Sequence, residues 1–277
     1  MDLLPEQFTN TADALANSSV HALLLSGVHG FIPDREAEYL AHSFTTQHTG
    51  IAQVLRPEDG KTGISIEQVR RLYQATRSKR LNSVMVWTIW LDGASPAAQN
   101  ALLKLLEEPP AQTVFILLVA TPESALMTIR SRTQTVAAAP YRVANAEQWL
   151  ALHAAQLDLP VRKQLLFLAE GSASELYRLT TDAKYQLAQL ANANTAKTLL
   201  SGSVYDRLRC ITTAISDREQ ALRIVHITVA MLTMLIERRP NQGLNQQLAT
   251  YIECYEHLKE NGSVRPQLLA AITTRAH

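Results

Sequence analysis

The residues best placed to do chemistry come early in the chain, at Gly27-Val28-His29-Gly30-Phe31-Ile32-Pro33-Asp34. An apolar run at residues 21–26 precedes them, and a helical pattern at residues 35–44 follows. Strand, glycine-bearing turn and helix form the setting of a phosphate-binding loop, whose backbone N–H groups and helix N-terminus cradle anions. That chemistry needs the frame G-x-x-x-x-G-K-[ST]: glycines for close backbone approach, a lysine for the phosphates and a hydroxyl for magnesium. Counted from Gly27, Ile32 replaces the second glycine, Pro33 the lysine and Asp34 the hydroxyl. Proline has no N–H to donate. A carboxylate about 4 Å from a phosphate charge is repelled by roughly 4 kcal/mol at an effective dielectric near 20. The frame therefore predicts a turn made by Gly27 and Gly30, an Asp34 that favours the helix start, and no triphosphate binding of the usual kind.

Other constellations are weaker. Gly60-Lys61-Thr62 spells the end of a phosphate loop, but Leu55 stands where its first glycine belongs and no apolar strand precedes it. Residues 57–63 read as a surface turn. His42 and His48 do not make a four-ligand metal site by themselves, and no cysteine lies near them. Cys210 and Cys254 are far apart in helical sequence and read as small buried hydrophobes rather than a disulfide. Arg132, in Ser131-Arg132-Thr133, is an arginine at the rim of an α/β layer. Its guanidinium is always charged and forks onto phosphate or carboxylate oxygens.

The stretch 99–133 reads as helix, strand, helix. Ser95 is placed to cap the first helix and Pro96 suits its first turn. Pro109-Pro110 stops it, and the unbroken apolar run at residues 113–120 predicts a parallel strand buried on both faces. Thr121-Pro122-Glu123 repeats the cap-plus-proline opening. Glu107 and Glu108 sit at a helix end whose dipole disfavours negative charge. Either cationic neighbours answer them, or they are an exposed and weakly costly pair. Further strands are expected at residues 21–26, 83–91 and 135–139, and helices at 5–17 and 64–79. The last of these carries Arg70, Arg71, Arg77 and Lys79, with Arg80 following, as a solvated face or as a phosphate-contacting one.

The run Ala98-Gln99-Asn100-Ala101-Leu102-Leu103-Lys104-Leu105-Leu106-Glu107-Glu108-Pro109-Pro110, followed by Thr128-Ile129-Arg130-Ser131-Arg132, resembles the clamp loader subunits of bacterial DNA polymerase III, most of all the delta-prime type. The resemblance implies an α/β AAA+ core, a parallel sheet with helices on both faces, over residues 1–139. An all-α lid at 140–195 and an all-α collar at 196–277 would follow it. It implies that Arg132, with Ser131 and Thr133 of its motif, serves the ATP site of a neighbouring subunit as an arginine finger. Such a finger, supplied in trans, stabilises charge on the transferring phosphoryl group. Thr133 departs from the cysteine of the family's Ser-Arg-Cys. Arg130 is open to a share in that role or to a plain surface position, and an ion pair within the chain is the alternative for Arg132. Active relatives end the strand at 83–91 with an acidic pair; here those positions fall on Ile89 and Trp90, with Asp92 two places on, as a turn residue or a displaced metal ligand. The position of the relatives' phosphate-sensing lid arginine falls on Ser174. The implied protein has no ATPase of its own, no cofactor and no metal, even though many relatives carry a four-cysteine zinc module between residues 42 and 60. Its implied partners are the gamma/tau motor and delta subunits, with the sliding clamp and primer–template DNA reached through the assembly. An adaptor or DNA-binding protein of the same shape outside replication is the alternative function, and an active ATPase of the family the other.

Composition sets the outer bounds. A length of 277 residues calls for two or three domains. Lysine plus arginine is 26 against 25 acids, so the basic excess expected of a protein that holds DNA alone is missing. Residues 144–182 and 195–277 read as helices punctuated by Gly171, Pro240 and Gly262. No run of eighteen apolar residues and no leader-like N-terminal pattern is present, so the expectation is a cytoplasmic protein without membrane contact.

Overall fold

A computed structural model describes residues 3–76, 83–215, 217–260 and 263–273. They form two compact units, Met1–Thr181 and Asp182–His277.

The first unit opens with helix α1 (Glu6–Ala16), strand β1 (Ala22–Ser26) and helix α2 (Asp34–His48). Strand β2 (Gly50–Leu55), helix α3 (Ile66–Thr76), strand β3 (Val84–Trp90) and helix α4 (Pro96–Glu107) follow. Strand β4 (Thr113–Val119), a 3₁₀ turn at Pro122–Ser124, the short helix α5 (Met127–Arg130) and strand β5 (Gln134–Ala137) complete the layer. All pairings are parallel, in the order β2-β3-β4-β1-β5. The sheet has one helical layer on each face, as the α/β reading expects. Alternate residues Leu24, Trp87, Ile89, Phe115 and Leu117 meet Val69 and Leu72 of α3, Leu102 and Leu105 of α4, and Ile129 of α5. Helices α1 and α2 pack together, and α2 also lies against β2, β3 and β4, with Leu40 and Phe44 fully buried. Burial of β1 and β4 on both faces explains their continuous apolar sequence.

A strand, β2, does precede Gly60, where no apolar strand is expected from the sequence. It escapes an apolar-run search because it is an edge strand whose Ile51 and Val54 are exposed. Residues 57–63 do form an exposed turn, with Lys61 N–H donating to Glu58 O and Gly60 at a positive φ. Gly63 and Gly93 are packed backbone to backbone: a Cβ at Gly63 would lie 2.1 Å from Gly93 O. On α3, Arg71 pairs with Glu58 at 2.8 Å. Arg77, Lys79 and Arg80 lie outside the described residues.

Three helices finish the unit: α6 (Val143–His153), α7 (Leu159–Ala169) and α8 (Ala173–Thr181). Helix α7 ends where Glu170 and Gly171 both take positive φ.

The second unit is helical throughout its described residues. It comprises α9 (Ala183–Ser201), α10 (Val204–Arg209) continued by a π-helical turn at Cys210–Ala214, α11 (Arg218–Arg238), α12 (Gln242–Lys259) and α13 (Val264–Thr273). Helix α9 runs unbroken through residue 195 and packs on α11, which also packs on α12. Helix α11 has the length and apolarity to cross a bilayer. Its Ala221, Ile224, Val225, Ile227, Thr228 and Leu232 are buried in this bundle, as in a core helix. Cys254 is buried there, whereas Cys210 is partly exposed; both are free thiols.

Candidate functional site

Two clusters occupy opposite ends of the sheet. Residues 27–34 leave the C-terminal end of β1, the edge at which ligands bind in open parallel sheets. Arg132 lies just before β5, which runs parallel to β1, so it sits at the N-terminal end.

At the first end the turn is folded tightly on itself. Gly27 N–H donates to Val119 O, and Phe31 N–H donates to Val28 O. A Cβ at Gly27 would sit 1.5 Å from the Phe31 carbonyl oxygen, so only glycine fits. His29 and Gly30 take the positive φ values that reverse the chain. Pro33 precedes α2 without a side-chain cap.

The first turn of α2 is then satisfied from inside the chain. Arg35 N–H donates to Ser174 Oγ at 2.8 Å, and Ser174 Oγ donates in turn to the Glu36 carboxylate in a very short bond. Ser174 belongs to α8, so this bond ties α8 onto α2. The Arg35 guanidinium adds a second tie by stacking 4.2 Å from the centroid of the Tyr177 ring. Glu36 is 1% exposed, and burial raises its carboxyl above the ordinary range while the Ser174 hydrogen bond pulls it back. Asp34 is also raised, to about 6: burial is the largest cause, opposed by the charge of Arg56, whose Nη2 lies 3.6 Å away. Arg56 also stands 5.0 Å from the ring centroid of Trp90, at the end of β3. Ile89 is fully buried core. Asp92 accepts from Ala120 N–H at 3.1 Å, which makes it a turn residue. His42 faces Thr46 and His48 faces Ala16 O, and among the described residues no group of three His, Cys, Asp or Glu side chains is arranged to hold a metal.

The helix N-terminus that would face phosphate therefore meets two carboxylates and a serine of its own chain. Sequence reading picked out Pro33, Asp34 and Ser174 but missed Glu36. The signal was there: Glu36, Leu40 and Phe44 share one stripe of α2, so a residue that looks polar falls on the buried face.

At the other end, Gln99 fixes the helix that carries the arginine motif. It is buried, its Nε2 donates to Ala94 O and Ser124 O, and its Oε1 accepts from Leu126 N–H at 2.8 Å. Buried Ile129 pins α5 to the same core. Ser131 Oγ and Thr133 Oγ1 donate back to Thr128 O and Ile129 O, closing the turn after α5. Arg132 projects at the rim with its side chain 36% exposed; its Nε donates to Glu107 Oε1 at 2.7 Å, and its Nη2 lies 2.6 Å from the same oxygen in an ion pair. In this chain the arginine thus holds an ion pair of its own, and the carboxylate at the end of α4 has the cation that its position calls for. Arg130 is partly buried, and its Nε has no hydrogen-bond partner.

The geometry has parallels among known proteins. Residues 5–141 match the family model described as DNA polymerase III, delta subunit. DNA polymerase III subunit delta' of Escherichia coli is 30% identical over 188 residues, covering 66% of this chain and 54% of that protein. The Yersinia pestis subunit of the same name is 34% identical over 140 residues, 48% of this chain and 41% of its own length. The chain thus spans about half the length of the relatives it matches. A DNA polymerase III gamma subunit-related protein from Thermotoga maritima has the same fold, with a TM-score of 0.58 at 15% identity over 97% of this chain and 99% of its own.

Proposed function

We propose that this chain, whose residues 5–141 match the DNA polymerase III delta subunit family model and which is 30–34% identical to delta' subunits over about half their length, is a non-catalytic clamp loader subunit that completes a neighbour's ATP site. The observation that carries this reading is the closed first turn of α2. Ser174 takes the Arg35 N–H and bonds the buried Glu36, and Asp34 places a carboxylate where a triphosphate would need positive charge. On this reading α6–α8 form the lid, held to α2 by the protein's own side chains instead of by nucleotide, and the second unit is the collar that joins a ring of subunits. Partners are the gamma/tau motor and delta subunits, with the sliding clamp and primer–template DNA engaged through the assembly in the cytoplasm.

The chain's contribution to hydrolysis is electrostatic. Arg132 stands on a rim fixed by α4 and α5, so its charge can be offered to an adjoining subunit without a change of fold. A permanently charged fork suits a transferring phosphoryl group, and fingers of this kind are worth roughly 10³–10⁵ in rate in GTPases.

The test is reconstitution with the motor and delta subunits. Arg132→Ala is expected to assemble normally in size-exclusion chromatography and to lose clamp- and DNA-stimulated ATP hydrolysis at the site it adjoins. Wild-type turnover by that complex rejects the finger role. Equilibrium titration of the isolated chain with ATP and magnesium should show no saturable binding; tight binding rejects the non-catalytic reading.

A further inference from the structure

Arg132 is already occupied. Two of its nitrogens converge on one oxygen of Glu107. Its Nη1 donates to Thr128 O at 3.0 Å and to Ser131 Oγ at 3.3 Å. A guanidinium has five N–H donors in a fixed fork; with Nε on Glu107 and Nη1 on Thr128 and Ser131, Nη2, itself 2.6 Å from Glu107, is the donor left to offer outward. A phosphate approaching that remaining donor would also meet the Glu107 carboxylate, and like charges at such separations repel.

Glu107 is the last residue of α4, where the helix dipole works against a carboxylate. Its side chain is 48% exposed and that of Arg132 36%, and ion pairs open to solvent to this degree are weak and salt-sensitive. A pair of that strength can hold an arginine against bulk water and still yield to a denser anion, since phosphate oxygens accept from a guanidinium through more than one bond.

Resting on the reading of Arg132 as a finger, we infer that Glu107 is its positioning residue: the carboxylate parks the guanidinium on its own rim, and the phosphates of a docked neighbour must displace it. Glu107 thereby sets how readily the neighbouring site fires before clamp and DNA have brought the subunits together. In the parked state the charge of Arg132 is neutralised within the chain. In the engaged state Glu107 is left exposed to water, where a carboxylate is well solvated.

The experiment uses the fully reconstituted loader and measures ATP turnover with and without clamp and primed DNA. Glu107→Gln keeps size and shape and removes the charge. It should raise the clamp- and DNA-free rate about two- to five-fold, the factor expected from losing a surface ion pair. The fully stimulated rate should stay near wild type. The excess should shrink as salt is raised, because screening weakens the parked pair in the wild type. In an Arg132→Ala background, Glu107→Gln should change nothing. An unchanged or lower clamp-free rate in Glu107→Gln, or a rise that persists without Arg132, overturns the parking role. If Arg132→Ala retains the wild-type stimulated rate, the finger reading itself fails. If Arg132→Ala is impaired while Glu107→Gln behaves as wild type, only the parking role fails.

Discussion

Asp34→Asn should stabilise the first unit at neutral pH, and the gain should disappear in acid. Asp34 stands where a phosphate loop would carry its hydroxyl, and burial lifts its carboxyl from 3.8 to about 6. At 1.36 kcal/mol per pKa unit, that rise corresponds to about 3 kcal/mol of cost for the ionised form in the folded chain. Its side chain is still 31% exposed, and an asparagine forfeits roughly 0.3–1 kcal/mol of favourable charge at the helix start. The net gain is about 1–2 kcal/mol. The sign follows from linkage: a folded-state pKa above the unfolded value adds stability that is full below about pH 4 and is lost as pH rises through about 6. Wild type and Asp34→Asn should therefore be alike at pH 4 and diverge to a plateau above pH 6, with the variant the more stable. All three tryptophans, Trp87, Trp90 and Trp149, lie in the first unit, so urea titrations followed by tryptophan fluorescence report that unit. A variant less stable than wild type at pH 8, or a difference that ignores pH, would mean that Arg56 and the helix dipole outweigh burial, and the account of the closed loop would be wrong.

Ser174→Ala removes the acceptor for Arg35 N–H and the donor to buried Glu36. At about 1–3 kcal/mol for each buried group left unpaired, the same fluorescence assay should show a loss of roughly 2–4 kcal/mol, smaller in acid where Glu36 is protonated. Gln99→Ala leaves Leu126 N–H without its acceptor and opens a small cavity. A loss of about 2–4 kcal/mol is expected, together with reduced stimulated ATPase of the assembled complex at temperatures where the unit is still folded.

Much of the first unit could be read from the sequence, because its central strands are buried on both faces and its helices are bounded by prolines and caps. Ser95 accepts from Ala98 N–H with Pro96 in the first turn, as its sequence position indicates. What could not be read is what depends on partners distant in sequence. Strand β2 has one sheet neighbour and exposes its apolar side chains, so it lacks the continuous apolar signature. Ser174 could be singled out only through the family resemblance, and its bond to Glu36 crosses 138 residues. Glu107 was marked by its unfavourable helix position, and only the fold shows that Arg132 answers it from 25 residues away. Helix α9 mixes alanine with asparagine, glutamine and threonine and offers no clear apolar stripe, although Ala193, Ala196 and Leu199 are buried.

On the proposed reading, the placement of the two clusters explains how a nucleotide loop could be lost while an arginine finger was kept. Strand β1 spans Ala22–Ser26 between the level of the arginine motif and the closed loop. At roughly 3.3 Å per residue it sets them about 15 Å apart, a separation at which two unit charges interact by only about 1 kcal/mol at an effective dielectric near 20. Charge placed at Asp34 or Glu36 is therefore weakly felt at Arg132, and α4 and α5 are built from the opposite helical layer to α2. Substitutions at the loop can accumulate without disturbing the rim. Asp34→Asn accordingly has a second readout: it should shift the stability of the first unit and leave the stimulated ATPase of the assembled loader at the wild-type level. A matching fall in both would show that the loop and the rim are mechanically coupled through the sheet, and independent loss of the one without the other would then have no physical basis.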